Sequence, residues 1–179
     1  MSGEVSAPVV VTYRDEYREH FEALNREWIE RLFHLEPRDR AALGDPRGTY
    51  LEGGGEVFFV LADGEVRGTC ALRRTGPDSF ELGKMAVRPD SRGRGYGALL
   101  LRAAIDAARG RGARRLTLFS NQSLAPALAL YRKHGFAVTR VGPHPEYART
   151  DVEMELDLTA AAAEPEPEMA APAVEPVGS

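Results

Sequence analysis

The stretch "RPDSRGRGYGALLLRAA", residues 88–104, places three glycines and three arginines in its first ten positions and then passes directly into an apolar helical pattern. Upstream, "SFELGKMAV" (79–87) reads as a strand. Downstream, Leu99, Leu100, Ile105 and Ala108 mark a helix from Tyr96 to Arg109, closed by Gly110 and Gly112. The junction is therefore a strand, a bend, a run of small residues and a helix N-terminus. Glycines let successive backbone N–H groups turn into one concavity, and the helix dipole adds partial positive charge there, so the junction suits a pyrophosphate. Arg92 and Arg94 would add charge-assisted hydrogen bonds at its rim. The plainer reading is a tight turn in a chain with 21 Arg and 2 Lys. Against that, three glycines ahead of a helix are costly unless something needs the backbone.

Two other phosphate-binding patterns compete for the same residues. A nucleotide P-loop needs G-x-x-x-x-G-K-[ST], and no lysine follows these glycines. Gly93, Gly95 and Ala98 do fit the dinucleotide pattern G-x-G-x-x-A, which keeps NAD in play. Two features oppose it. "RPDSR" separates Val87 from Gly93, and no Asp or Glu occurs from Ala107 to Pro145, where the ribose-binding acid would lie.

Working outward, the elements alternate in type. "PVVVTY" (8–13) reads as a strand, and Phe21, Leu24, Trp28, Ile29, Leu32 and Phe33 give a helix over 15–34. A short helix over 36–48 is closed by Gly44 and Pro46. Two β-rich runs over 56–75 flank Asp63 and Gly64, a strong hairpin signal. After the glycine helix come a strand (115–120), a helix (124–134) and two last strands, "FAVTRV" and "DVEMELDL". The order is antiparallel hairpins, one β-α-β crossover, then strands again.

Composition limits the function classes. The 179 residues suit one domain with its own core, expected over 1–158. No apolar run approaches the roughly 18 residues of a membrane span, and the N-terminus lacks a basic secretion-signal region, so a cytoplasmic location is the expectation. The tail over 159–179, rich in Ala, Glu and Pro, is expected to be disordered. One cysteine, Cys70, excludes an internal disulfide framework, and the four histidines show no metal-binding spacing, so no metal site is expected. The formal charge of -4 conceals an asymmetry: from Lys84 to His144 there are twelve Lys or Arg against two acids, about +10, leaving about -14 elsewhere. Such a segment suits a phosphate-bearing small molecule, a nucleic acid or a solvated basic face.

Arg92-Gly-Arg-Gly95-Tyr-Gly97 resembles the Q/R-x-x-G-x-G/A acyl-CoA motif of the GNAT N-acetyltransferase superfamily, and "LAPALALYRKHGF" (124–136) resembles its second signature, a helix ending in Leu-Tyr-x-Lys-x-Gly-Phe. The resemblance spans roughly residues 8–158. It implies an α/β fold of the α+β kind: a mixed, mostly antiparallel sheet, splayed between its fourth and fifth strands and flanked by about four helices, with CoA in the gap. It further implies an acyltransferase that moves the acetyl group of acetyl-CoA directly to a primary amine in a ternary complex. Sheet-edge pairing into a homodimer is also in keeping with it.

By the same resemblance, acetyl-CoA would be held by Met85, Ala86, Val87, Arg92, Gly93, Arg94, Gly95, Tyr96, Gly97, Ala98 and Tyr131. The family often has an asparagine seven residues before the tyrosine, where this chain has Leu124, so Asn121 is the candidate for that role. Tyr131 would protonate the departing thiolate. Only a neutral amine attacks a thioester, and at a pKa of about 10.4 roughly one lysine-like amine in 2,500 is neutral at pH 7, so a base or water relay is needed. Glu81, six residues before Val87, is the candidate base or the anchor of its water; strand alternation puts it with Gly83 and Met85, and a surface pair with an arginine is the competing role. Trp28, Phe33, His34, Tyr147 and Arg149 are candidates to line the acceptor pocket. Cys70, inside a strand, reads as a packed core thiol. A catalytically silent acyl-CoA-binding module, a nucleic-acid binder and an NAD binder are the alternatives left open.

Overall fold

Alternating apolar positions assign each central strand two buried faces. β2 (Glu56–Ala62) contributes Phe58, Val60 and Ala62 to one apolar cluster and Val57 and Phe59 to another. It forms a hairpin with β3 (Glu65–Gly76) through Asp63 and Gly64, which adopt the left-handed φ values of 54° and 75° that a tight turn requires. The computed structural model describes residues 6–159, so the tail from residue 160 onward lies outside the described residues.

The sheet has seven strands in the order β1-β2-β3-β4-β5-β7-β6, where β1 is Val9–Thr12, β4 Ser79–Val87, β5 Arg115–Ser120, β6 Ala137–Val141 and β7 Val152–Asp157. Every pair is antiparallel except β4–β5. That pattern is a mixed α/β fold with a mostly antiparallel sheet, as the sequence indicates, rather than the parallel sheet of a dinucleotide-binding domain.

One face carries α3 (Tyr96–Gly110) and α4 (Ala125–Lys133), whose Leu100, Leu101, Ala104, Ile105, Leu128 and Tyr131 pack against strand residues including Leu72, Phe80, Leu116 and Met154. Each fully buried leucine or isoleucine there contributes about 2 kcal/mol of transfer free energy. The other face carries α1 (Arg18–Leu32) and α2 (Pro37–Gly44), with a π-helical turn over Arg47–Leu51 that buries Tyr50 against Phe21. α2 starts with Pro37 at its first position and a reciprocal cap in which Glu36 and Asp39 satisfy each other's backbone N–H groups.

The parallel contact is short. β4 and β5 pair only from Ser79 opposite Arg115 to Leu82 opposite Leu118, after which β5 continues alongside β7. Immediately beyond Leu82 the β3–β4 register shifts: Ala71 faces Gly83 whereas Thr69 faces Ala86, and Lys84 takes a φ of 51°. This is a β-bulge, which bends and twists its strand. It opens the sheet between β4 and β5. It also corrects the expectation that Glu81 shares a face with Met85, because the extra residue breaks the alternation. Met85 packs against the α3 side of the core, while Glu81 lies opposite Arg73.

Candidate active site

A cleft of about 390 Å³ occupies the gap between the diverging strands. Its walls are β4 from Glu81 to Val87, β5 from Leu118 to Ser120, the start of α4 and Tyr131, and the C-terminal end of α1 with Tyr147, Arg149 and Thr150 of the loop before β7. Beyond Leu82, β4 presents main-chain groups that β5 no longer pairs, so an extended ligand has an open strand edge to lie along.

At one end stands the glycine turn. A 3₁₀ turn over Pro89–Ser91 leads to Gly93 and Gly95, whose φ values of 77° and 82° are left-handed, and Gly95 is the N-cap of α3. No side chain caps the helix, so its first N–H groups stay open to a ligand. Arg92 lines the cleft and meets Glu27 at 3.5 Å, while Arg94 is exposed. Tyr96 turns away into the core, and Gly97 lies where an added Cβ would meet Leu130 at 3.3 Å. Gly93 to Ala98 follow Arg92 in the chain and are not among the residues that line the cleft.

In the middle, Tyr131 is buried against Phe136 and reaches the cleft wall. Burial, helped by neighbouring Cys70, pushes its phenol above the usual tyrosine range, so the hydroxyl stays protonated at neutral pH. Glu81 is held by Arg73 at 2.7 Å, the arginine pairing that the sequence allowed, and it also lines the cleft. Asn121 lines the cleft with its amide engaged, donating to the Arg149 carbonyl at 2.9 Å and accepting from the Ser123 N–H at 2.9 Å. Cys70 is fully buried behind this region with its Sγ 3.7 Å from the Leu100 carbonyl, and burial raises its thiol pKa, as befits an inert core cysteine.

At the far end are Trp28, Phe33, Tyr147 and Arg149, which the structure brings together. Trp28 packs edge-on to Phe33 at 6.3 Å, Arg149 lies over Trp28 at 5.7 Å, and Phe119 stacks on Tyr147 at 5.3 Å. His34 is exposed just past the end of α1 and does not reach the cleft.

Sequence reasoning missed the group that organises this end. Asp39, 3% exposed, receives Lys84 Nζ at 2.7 Å and the two terminal nitrogens of Arg149 at 2.6 and 2.7 Å. Burial alone would raise its pKa, but the hydrogen bonds from Arg149 and Lys84 outweigh that and hold the carboxyl well below the usual range. Lys84 is shifted down by desolvation, opposed by Asp39. The available signals were a lysine interrupting an apolar strand and an acid at the third position of a helix.

The profile of the acetyltransferase (GNAT) family matches residues 12–136. Among curated proteins, the chain is 31% identical to the uncharacterised N-acetyltransferase YvbK of Bacillus subtilis over 58% of this chain and 68% of that one. It is 39% identical to a streptothricin acetyltransferase of Streptomyces lavendulae over 59% and 57%. The chain thus spans between about half and two thirds of these relatives' lengths. Among solved structures, a GNAT-family acetyltransferase of Staphylococcus aureus superposes with a TM-score of 0.77 at 20% identity, over 85% of this chain and 99% of that one. Salmonella typhimurium yncA, whose structure holds its cofactor acetyl-CoA, gives 0.69 at 22% identity over 88% and 98%.

Proposed function

Because the chain belongs to the acetyltransferase (GNAT) family, we propose that the cleft between β4 and β5 binds acetyl-CoA and passes its acetyl group directly to a primary amine. The observation that carries this is the coincidence of an open β4 edge and a buried tyrosine hydroxyl in one cleft, with an uncapped glycine-rich helix start following in the chain directly after Arg92 of its wall. The pyrophosphate would sit on the N–H groups of the Gly93–Ala98 turn, with Arg92 and Arg94 at its rim. The pantetheine arm would pair along Met85, Ala86 and Val87 in the manner of an added strand, and a backbone N–H there would polarise the thioester carbonyl.

The acceptor amine would enter from the Trp28–Arg149 end. Glu81, directly or through a water, takes one proton from the ammonium; the nitrogen attacks the carbonyl carbon, a C–N bond forms, the C–S bond breaks, Tyr131 supplies a proton to the thiolate, and the second proton shed by the nitrogen restores the Tyr131 phenol through solvent. A phenol kept protonated by burial holds the hydrogen that this last role donates; since a thiol, at a pKa of about 8.5, is the stronger acid of the two, the phenol acts first by a hydrogen bond that stabilises the departing thiolate. Asn121 ties the β5 end to the Arg149 loop and so shapes the opening.

The test is release of free CoA thiol from acetyl-CoA in the presence of an amine panel, with acetylated product identified by mass spectrometry. Amine-dependent release supports the reading. Acetyl-CoA binding with no amine-dependent release from any acceptor class would instead mark a catalytically silent module.

A further inference from the structure

The acceptor end of the cleft is lined by hydrogen-bond donors whose acids stand behind them. Arg31, Lys84 and Arg149 line the wall, whereas Glu27, Asp39 and Glu36, which pair with them, do not. Glu81 is the one carboxylate on the wall among the described residues, and Arg73 already holds it. The cations are not used up by these pairs. Among the described residues Lys84 Nζ has a single hydrogen-bonded partner, Asp39 Oδ1, and an ammonium has three donors. Arg149 spends its two terminal nitrogens on Asp39 and Glu36 and keeps Nε and further N–H groups in reserve. Both side chains are mostly buried, at 15% exposure, so a ligand reaching them would be largely out of water, where charge-assisted hydrogen bonds are strongest.

Around these donors the wall is aromatic: Trp28, Phe33, Phe119 and Tyr147. A second positive charge on an acceptor would meet Arg31, Lys84 and Arg149 with no unpaired acid to receive it, and like charges in a part-buried site repel. A negative charge would meet waiting donors.

Resting on the acetyl-transfer reading above, we propose that the acceptor is a small amine bearing a carboxylate near the amino group, with an apolar or aromatic body. Lys84 and Arg149 take the carboxylate, Glu81 faces the ammonium end, and the aromatic walls of Trp28, Phe33, Phe119 and Tyr147 take the body. Lys84 is thereby a specificity residue, and the bulge that gives it a left-handed backbone is what sets it at the cleft wall rather than in the strand's ordinary alternation.

The experiment has two independent arms on the full chain. Thermal unfolding with acetyl-CoA alone reports whether the cofactor binds, whatever the acceptor. Acetyl transfer is then compared within matched pairs, L-phenylalanine against L-phenylalaninamide and L-leucine against L-leucinamide, beside spermidine and kanamycin. In the wild type, kcat/KM for each free acid is expected to exceed that for its amide by about tenfold or more, as loss of a charged hydrogen bond implies. Spermidine and kanamycin should be poor acceptors. Lys84→Met and the milder Arg149→Lys should raise KM for the acids while leaving the acetyl-CoA shift intact. The wild-type comparison stands even if a variant fails to fold. An intact acetyl-CoA shift with the amides, spermidine or kanamycin preferred, or with neither free acid acetylated, overturns the proposal alone; absence of the acetyl-CoA shift overturns the acetyl-transfer reading and the proposal with it.

Discussion

Asp39 of α2 and Arg149, 110 residues later in the loop before β7, meet in a two-pronged ion pair at 2.6 and 2.7 Å. The pair clasps the α1–α2 side of the cleft to the β5–β7 side, and Lys84 joins it from the β4 bulge. Removing the acid leaves the mostly buried Lys84 without its ion-pair partner and Arg149 with only Glu36, at 3.4 Å. Asp39→Asn is expected to cost about 3 kcal/mol. At about 2–4 °C per kcal/mol for a chain of this size, the melting temperature should fall by roughly 6–12 °C, measurable by calorimetry.

The same carboxylate sets an acid limit. Its folded pKa lies below the unfolded value of about 3.9, so between the two the unfolded chain binds more protons and stability rises with pH. The contribution is fully present above about pH 5 and is lost as the pH falls through 4 toward the folded value. Urea unfolding at pH 7, 5 and 3 should show the wild type losing more stability between pH 5 and 3 than Asp39→Asn does.

Tyr131 separates chemistry from packing. Its ring packs on Phe136, which phenylalanine preserves, and its hydroxyl has no hydrogen-bond partner among the described residues. Tyr131→Phe should therefore change stability by less than about 1 kcal/mol, and acetyl-CoA affinity little, while turnover falls by about 10² or more. Parallel calorimetry and steady-state kinetics check both halves.

In the glycine turn, two neighbours should behave differently. Gly95 has a φ of 82°, so Gly95→Ala strains the backbone and is expected to cost about 1 kcal/mol. Gly97 lies in the first turn of α3, where an added Cβ meets only the end of Leu130 at 3.3 Å. There the gain in helix propensity, at most about 1 kcal/mol, offsets a small side-chain shift, so Gly97→Ala should be near neutral in urea unfolding.

Most of this architecture was legible because it is written in local periodicity. The hairpin at Asp63 and Gly64, α3 from Tyr96 and β5 over Arg115–Ser120 follow from turn chemistry and apolar spacing read within a dozen residues. The position of β7 between β5 and β6 was not read, because it depends on pairing partners distant in sequence. Nor was the bulge at Lys84. A single extra residue in β4 has no local signature, and its register is set by β3. The glycine turn before α3 was accessible because the backbone demands of Gly93 and Gly95 are explicit. The far end of the cleft was reached only in part: Trp28, Phe33, Tyr147 and Arg149 do line it, His34 does not, and Asp39 and Lys84 join Arg149 there through contacts 110 and 45 residues apart in sequence.

The most direct measurement is thermal unfolding with acetyl-CoA, CoA and NAD, for the wild type and for Gly95→Glu. Ligand at 100 times its Kd adds about 2.7 kcal/mol, or roughly 5–11 °C for a chain of this size. A rise of that order with acetyl-CoA and CoA, absent with NAD and lost in the variant, is the expected result. No rise with either CoA species would contradict acetyl-CoA binding in the β4–β5 cleft and, with it, every catalytic role given to Glu81 and Tyr131.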